Sequence, residues 1–445
     1  MSRKWIEPVV AGAQIASSFY DTALLMVVRN HYNTSINSLE VPSNCSRDDM
    51  LQKAISNFYI IYNVIMGLTP LLSAYALAKI GDRTSRKVTI CVPLLGYLLS
   101  RMILLFVITW EWPVEVMFGS AALNGLTGWF TTYWAGVMAW ASLRSSERRR
   151  SLQLIIIEMV YGLAGFVGSL VSGHLFVFLH ITSHQGTILM FCSIGGYAFC
   201  VLYCIFVLRT PEEDDNSETT RLLKDSRNTT IQEDKTENSV LEAPSKLILI
   251  SLFVSAILFN VAFTASDDVL NVFVLKKPLN WGPVDVGYGN AAAYMTCITS
   301  FLGVFIFSRF TGDLGLITIG IISFGSGLLI MAFVRSTYMY YIARVVMIFS
   351  LIPTPTIRSM ISKQIQGSSY GKVFVALQLA IELVAVSSSA GFNKLYQATL
   401  DWYSGFCFIV FGALAFTSVI PIGIVACHNW SRRNQQNNVV VTDPQ

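Results

Sequence analysis

Long apolar runs alternate with short polar connections along the chain. A helix that crosses a bilayer needs roughly 20 apolar residues, and runs of about that length recur over most of the sequence. They predict twelve spans, near residues 7–29, 55–78, 88–110, 114–142, 152–180, 187–208, 246–274, 284–308, 314–335, 338–362, 372–395 and 404–427. The pattern therefore predicts an all-α, polytopic membrane protein.

A polar interruption divides these spans into two groups of six. Residues 209–245 include Pro-Glu-Glu-Asp-Asp and many Ser, Thr, Asn and Lys residues. This segment is too polar to form a core and is predicted to be a disordered cytosolic linker. We therefore expect one six-helix bundle over 1–208 and a second over 246–428, followed by a cytosolic tail at 429–445 that resembles the linker.

Composition excludes several classes of protein. Hydrophobic residues make up 53% of the chain and charged residues only 13%, whereas about a quarter of a soluble protein is charged. The net charge is +4, and no basic stripe indicates binding to a nucleic-acid polymer. The sequence contains no HExxH, CxxC or phosphate-loop motif. We therefore predict no enzyme, no catalytic residue, and no metal or cofactor other than protons as a coupling ion.

The basic residues in short loops predict the orientation, because cytosolic loops are enriched in Lys and Arg. They place both termini and the linker in the cytosol, and Lys276 and Lys277 on the outer side. Asn33 and Asn44 then become glycosylation acceptors in the first outer loop.

The linker also carries a possible sorting signal. Glu218, Leu222 and Leu223 fit the acidic dileucine pattern ExxxLL, which would bind a clathrin adaptor, although so short a motif also occurs by chance. We expect a monomer in the plasma membrane, in endosomal-lysosomal membranes, or in both.

The loop after the second span resembles a signature of the major facilitator superfamily. It reads Ala-Lys-Ile-Gly-Asp-Arg-Thr-Ser-Arg-Lys over 78–87, similar to G-x-x-x-D-R-x-G-R-K. The resemblance implies that Asp82, Arg83, Arg86 and Lys87 form a gating motif, and that the solute site lies between two rocking halves. A basic cytosolic loop without a gating role would show the same charges.

Further motifs resemble solute carrier family 46, which contains the proton-coupled folate transporter. They include Pro-Leu-Asn-Trp at 278–281, Val-Gly-Tyr-Gly at 286–289 and Ile-Arg-Ser-Met-Ile-Ser-Lys at 357–363. The resemblance implies uptake of organic anions coupled to protons, with cyclic dinucleotides, muropeptides and folates as candidate solutes. Trp129 stands where the folate carrier has an acid, and Phe263 where it has a histidine, which makes folate itself doubtful.

Charged groups within the predicted spans are candidates for the transport site. Each costs about 2.5–3.5 kcal/mol to insert, so it is expected to face a cavity or a partner. They are Asp21, Arg101, Glu158, His174, Asp267, Asp268, Arg344, Arg358 and Glu382.

Glu158 is followed by Gly162, Gly165 and Gly168, which would allow a neighbouring helix to approach closely. The matching acid of the folate carrier serves proton coupling, and we expect Glu158 either to do so or to form a structural pair with an arginine.

Arg344 and Arg358 lie on one predicted face of span ten, and Pro353 and Pro355 should break the helix between them. Arg358 is predicted to meet an anionic group of the solute, or else to snorkel to the membrane surface. Arg344 is more often a gate or the partner of Asp267 or Asp268.

Three further groups have open assignments. Asp21 and Arg101 could form a buried structural pair or contact the solute. Trp129 and the nearby Tyr133 and Trp134 could stack on a planar ring or pack against neighbouring helices. His174 could titrate near neutral pH or be hydrogen-bonded only.

Together these features predict a secondary active transporter that moves a small organic anion by alternating access. The alternative is a receptor or scaffold that has lost transport. Such a protein would need neither broken helices nor charges that border a cavity.

Overall fold

The twelve apolar runs form helices in the computed structural model, which describes residues 5–38, 47–83, 87–144, 147–178, 186–208, 246–364 and 370–441. The first half contains α1 (Glu7–Asn37), α2 (Arg47–Arg83), α3 (Val88–Thr109), α4 (Val116–Leu126), α5 (Trp129–Arg144), α6 (Glu147–Phe178) and α7 (Thr187–Phe206). The second half contains α8 (Lys246–Phe273), α9 (Pro283–Phe307), α10 (Asp313–Ala332), α11 (Thr337–Val346), α12 (Pro353–Gln364), α13 (Tyr370–Thr399), α14 (Phe406–Thr417) and α15 (Val419–Val441). No strand occurs within these ranges.

Each predicted span corresponds to one helix or to a pair of consecutive helices. Spans four, ten and twelve are the pairs α4–α5, α11–α12 and α14–α15. Eight segments within the described ranges are long and apolar enough to cross a membrane as single stretches. The fold is therefore that of an all-helical, multi-pass membrane protein.

Span ten is broken where the prolines predicted it. Residues 347–352 form no α-helix, and α12 begins at Pro353. At this break, backbone carbonyl groups lose their hydrogen bonds within the helix, and hydroxyl groups of adjacent helices donate to them instead. Ser300 of α9 donates to the Ile348 carbonyl at 3.0 Å, and Ser323 of α10 donates to the Val346 carbonyl at 2.6 Å. Irregular backbone is tolerated within a membrane protein only where its polar groups are hydrogen-bonded in this way.

Span four is broken at the corresponding place, and the sequence did not predict it. The break lies at Thr127 and Gly128, where φ of Gly128 is +97° and φ of Trp129 is +44°. Glycine adopts this left-handed conformation readily, whereas tryptophan does so at a steric cost. Broken helices at matching positions of two repeats are typical of transporters and point to their solute site.

The prediction for the tail was wrong over most of its length. Helix α15 continues through 429–441, where a linker-like coil was expected. No Gly or Pro follows Gly423 until Pro444, so nothing in the local sequence stops a helix that has already begun in the apolar segment.

The two halves meet along the helix pairs α6–α9 and α2–α13. The predicted role of the α6 glycines is confirmed for Gly165, where an added Cβ would lie 2.5 Å from the Tyr294 ring of α9. Gly173 and Gly287 allow an equally close approach further along, because their added Cβ atoms would lie 2.5 Å from the Pro283 carbonyl and 2.6 Å from the Ser169 carbonyl.

Replacing Gly173 with Ala is expected to destabilise this contact, because the added methyl group would meet backbone that cannot rotate away. Overpacking of this kind costs about 1–3 kcal/mol. We expect a melting temperature in detergent several degrees below that of the wild type. Gly195→Ala is the matched control, since nothing lies within 4 Å of its added Cβ. Equal melting of the two variants would contradict the close approach.

Candidate functional site

Glu158 and Arg358 come from different halves and interact electrostatically. Glu158 lies on α6 and Arg358 on α12, and both are half-buried. The charged neighbours of Arg358 are Glu382 of α13 and Glu158. The structure thus brings together two residues that the sequence assigned separately, and it identifies Arg358 as the arginine for the predicted pairing of Glu158.

Arg101 is enclosed by tyrosine rings in the first half. Its guanidinium carbon lies 4.0 Å from the ring centroid of Tyr20 and 4.8 Å from those of Tyr97 and Tyr197. The residue is 2% exposed. Its Nε and Nη1 atoms find no hydrogen-bond partner among the described residues. Cation–π attraction therefore replaces hydrogen bonds in holding this buried charge.

Asp21 and Arg101 form no direct ion pair among the described residues, although each acts electrostatically on the other. No nitrogen–oxygen contact within 4.0 Å joins them in the described part of the chain. Asp21 is exposed although Tyr20 and Thr22 on either side are buried. The two charges still act on each other at longer range. The physical reason is that the tyrosine rings occupy the positions around the guanidinium that a carboxylate would need.

A small cavity of about 50 Å³, partly open to solvent, lies in the second half. Asp267 of α8 and Arg344 of α11 both line it, together with hydroxyl groups of Ser266, Thr296 and Ser350. Arg344 is the charged group that acts on Asp267, and its Nε atom donates to the Tyr340 hydroxyl at 2.9 Å. Of the two acids predicted as partners of Arg344, the structure therefore places Asp267 beside it.

Asp268 points elsewhere, although it is adjacent in sequence. Its Oδ2 atom accepts a very short hydrogen bond from the Ser389 hydroxyl of α13, and the side chain of Asn63 on α2 is a second hydrogen-bond partner. This carboxylate therefore joins α8 to the α2–α13 contact between the halves, and it does not line the cavity.

The three aromatic residues of span four pack mainly against protein. Tyr133 is 4% exposed and belongs to the core of the first half. Trp129, at the start of α5, packs against the cores. Trp134 contacts Phe130 and Tyr161, with ring centroids 5.4 and 5.1 Å apart. Packing against neighbouring helices therefore explains the burial of Tyr133. Of the three residues, Trp134 is the one that lies near the contact between α6 and α9.

One end of the molecule is held closed by charges from both halves, and we call these contacts the outer clamp because they lie at the end predicted to be extracellular. Its ion pairs are Lys276–Asp49 at 2.7 Å, Lys277–Asp48 at 3.0 Å and Lys53–Asp401 at 3.5 Å. Asp48, Asp49 and Lys53 belong to α2, whereas their partners belong to the second half. The sequence placed Lys276 and Lys277 on the outer side but did not single out their acidic partners.

Polar contacts extend the outer clamp. Arg29 of α1 donates to the Trp281 carbonyl and to the Asn280 side chain, both at 2.6 Å. Lys394 of α13 donates to the Asn57 side chain at 2.9 Å. Nearby, the His174 ring is hydrogen-bonded to the Tyr288 hydroxyl at 2.7 Å. At this end, the described residues of the two halves are therefore in direct contact.

Several predicted residues lie outside the described part of the chain. They are Arg86 of the gating motif, the glycosylation acceptor Asn44, and the sorting residues Glu218, Leu222 and Leu223. Asp82 and Arg83 form the end of α2, and Lys87 precedes α3. Asn33 is exposed on the last turns of α1.

The arrangement of two bundles, paired broken helices and charges between the halves can be compared with known proteins. The family model described as Major Facilitator Superfamily matches residues 13–389 of this chain. Solute carrier family 46 member 2 of Canis lupus familiaris is 49% identical, with 95% of this chain and 93% of that protein covered. The chain belongs to solute carrier family 46. It is thus a transporter and not an enzyme, as the sequence predicted.

A more distant relative is consistent with this family, and a solved structure shares the fold. A lysosomal proton-coupled steroid conjugate and bile acid symporter of Gallus gallus is 28% identical, with 96% of the transporter and 94% of that protein covered. A crystal structure of a peptide transporter in complex with sulfate has a TM-score of 0.63 at 10% identity, with 94% of each chain covered. That likeness shows the fold only.

Proposed function

We propose that the protein is a proton-coupled secondary transporter of small organic anions that works by alternating access. The observation that carries this proposal is the electrostatic interaction between Glu158 of one half and Arg358 of the other. A charge interaction that crosses the plane between two moving halves changes when the halves rock. It can therefore link the occupancy of the site to the conformation.

Arg358 shares its charge between two carboxylates, Glu158 and Glu382. When all three groups are ionised, this cluster carries excess negative charge and repels an anion. A proton taken up by Glu158 removes that excess, so the guanidinium becomes available to the anionic group of the solute. Proton and anion then bind with positive coupling, which is the requirement for symport.

Candidate solutes are cyclic dinucleotides, muropeptides and folate-like anions. The acidic character of these compounds suits an arginine-containing site between the halves. The avian relative is named as a proton-coupled symporter of steroid conjugates and bile acids, and these conjugates are a further class to assay.

We further propose that the transporter resides in the plasma membrane, in endosomal-lysosomal membranes, or in both. In this proposal both termini face the cytosol and the outer clamp faces outward or into the lumen. Glycosylation at Asn33 and Asn44 and adaptor binding at Leu222 and Leu223 belong to the same proposal.

Glu158→Gln is expected to abolish the effect of an inward proton gradient while solute binding is retained. The amide keeps the size and neutral hydrogen bonding of the protonated acid, but it cannot release a proton. The measurement is uptake of labelled cyclic dinucleotide, muropeptide and folate into vesicles, with and without the gradient. Glu115→Gln, in the loop before α4, is the matched control. Unchanged gradient dependence in Glu158→Gln would remove this residue from the coupling role.

A further inference from the structure

Two cysteine thiols of the first half contact each other across a helix interface. Cys91 lies in the first turn of α3 and Cys204 in the last turn of α7, and their Sγ atoms are 2.7 Å apart. Both are free thiols. A movement of less than about 1 Å would bring the two sulfur atoms to bonding distance. We call Cys91 and Cys204 the thiol pair.

The packing of the surrounding helices holds the thiol pair in place. α3 and α7 pack against each other, and further along their interface the rings of Tyr97 and Tyr197 have centroids 5.4 Å apart. At the same end as the thiols, α7 is also tied to the chain before α1, because the Tyr203 hydroxyl donates to the Trp5 carbonyl at 3.1 Å. The register of α3 against α7 is therefore fixed by contacts other than the sulfur atoms themselves.

The two thiols differ in exposure, which gives them different chemical roles. Cys91 is half-buried, whereas Cys204 is fully buried. Lys87 lies directly before α3, and the N-terminal end of a helix carries partial positive charge. Reactive cysteines occur in such electropositive, partly accessible surroundings. Cys91 is therefore the thiol that an oxidant reaches first, and Cys204 is placed to react with the oxidised product.

The described part of the chain shows no other pair of cysteine sulfurs within hydrogen-bonding distance. Cys200 lies one turn before Cys204 on α7, and its Sγ atom donates to the Val9 carbonyl at 3.5 Å. Cys407 of α14 contacts the Thr399 hydroxyl at 3.8 Å. Cys200 is thus a buried thiol on the same helix that lacks a cysteine partner, which makes it an internal control.

We propose that Cys91 and Cys204 form a redox modification site, at which hydrogen peroxide closes a reversible disulfide between α3 and α7. The Cys91 sulfur attacks one oxygen of the peroxide, the O–O bond breaks, and a sulfenic acid and one water are formed. The Cys204 thiol then attacks the sulfenic sulfur, which releases a second water and forms the S–S bond. Overall the two thiols give up two electrons and two protons, and one peroxide is reduced to two waters.

The location of the thiol pair makes the bond reversible. Both thiols lie at the end opposite the outer clamp, which is predicted to be cytosolic, and cytosolic disulfides are usually transient. A cellular dithiol reopens the bond by thiol–disulfide exchange.

The disulfide is expected to stabilise the first half without joining the two halves. Both cysteines belong to the first half, so the bond leaves the halves free to rock. It links residues 113 positions apart in the sequence, and a cross-link over so long a loop restricts the unfolded chain strongly. The inference goes beyond the proposed function and does not depend on the solute.

The test locates the bond in the full chain, purified in lipid nanodiscs. The reduced protein is treated with hydrogen peroxide, and the remaining thiols are blocked with N-ethylmaleimide before digestion. Chymotrypsin cleaves after aromatic residues such as Phe199 and Tyr203. Cys200 and Cys204 therefore fall on different peptides. We expect mass spectrometry to find the Cys204 peptide linked to the Cys91 peptide, and dithiothreitol to release the link.

Single variants separate the thiol pair from the other cysteines. Cys200→Ala is the matched control and should form the linked peptide as the wild type does. Cys91→Ala and Cys204→Ala should lose it, and in Cys204→Ala a sulfenic acid should accumulate on Cys91, where dimedone traps it. Peroxide should raise the melting temperature of the wild type and of Cys200→Ala by several degrees, and leave the other two variants unchanged. Melting curves under reducing conditions verify that each variant folds.

Three results would overturn the inference: no linked peptide in the wild type, a link from Cys91 to Cys200 instead, or a sulfinic acid on Cys91 while Cys204 remains a thiol. An equal rise in melting temperature in Cys91→Ala would refute the stabilising role. Because no solute is present, none of these results bears on transport, which the uptake assay with Glu158→Gln tests separately.

Discussion

Replacing Arg358 with Ala is expected to lower uptake of an organic anion by about 100-fold or more while surface expression stays normal. The guanidinium is the half-buried cation that acts on Glu158 and Glu382, and a charge-assisted hydrogen bond to an anionic solute contributes about 1.5–3 kcal/mol. Removing it also removes the charge that we assign to the solute. Uptake and surface biotinylation in the same cells measure the two quantities.

Matched variants distinguish solute binding from internal charge balance. Arg309→Ala is the control, because Arg309 is exposed beyond the end of α9 and should tolerate truncation. If Arg358 only balances Glu158, the double variant Glu158→Gln with Arg358→Ala should recover uptake. If Arg358 binds the anion, as we propose, the double variant stays inactive. Normal uptake by Arg358→Ala would defeat the assignment.

Much of the fold follows from the sequence, because membrane-spanning helices are encoded locally. The twelve apolar runs and the break before Pro353 both depend on the length and composition of single segments. The break at Gly128 was missed because the sequence has no proline there. The positive φ of Trp129 was also not predictable, because tryptophan rarely adopts such a conformation on its own. The tail was misread because polar composition was taken for coil, although Asn and Gln residues extend a helix that has already begun.

The candidate residues were selected one by one from the sequence, which named partners in advance for Arg344, as Asp267 or Asp268. Asp21, Arg101, Glu158 and Arg358 were chosen because a charged group is costly to insert into a membrane span. No sequence pattern, however, shows which of these charges meet across two bundles. The sequence left open whether Asp21 pairs with Arg101, and in the structure three tyrosine rings surround the guanidinium instead. Such a cage combines residues from three helices and becomes visible only in three dimensions.

The outer clamp had a signal in the sequence that could have been used. Asp48 and Asp49 form an acidic doublet before the second span, and Lys276 and Lys277 form a basic doublet after the seventh. Orientation assigned Lys276 and Lys277 to the outer side, where the acidic doublet before the second span would also lie, and opposite charges on two halves attract. Complementary doublets in loops of the same side therefore predict contacts between halves.

Reversing one charge of the Lys276–Asp49 pair is expected to lower uptake by about 10-fold or more, and exchanging both charges should restore most of it. The side chains are 14% and 17% exposed and lie 2.7 Å apart. The Lys276 Nζ atom also donates to the Leu400 carbonyl at 3.0 Å. Hydrogen bonds to charged groups contribute about 1.5–3 kcal/mol, so Lys276→Asp or Asp49→Lys should shift the halves away from the outer-closed state and slow the cycle.

The Lys53–Asp401 pair provides the matched control at the same end of the molecule. Its side chains are 37% and 66% exposed and 3.5 Å apart, and solvent-exposed pairs contribute only about 0–1 kcal/mol. Reversing Lys53 should therefore change uptake by less than about 5-fold. Failure of the exchanged Asp49→Lys, Lys276→Asp variant to recover uptake, despite normal surface expression, would show that repulsion at this pair does not explain the loss. Equal sensitivity of both pairs would show that burial does not determine which contact keeps the outer end closed.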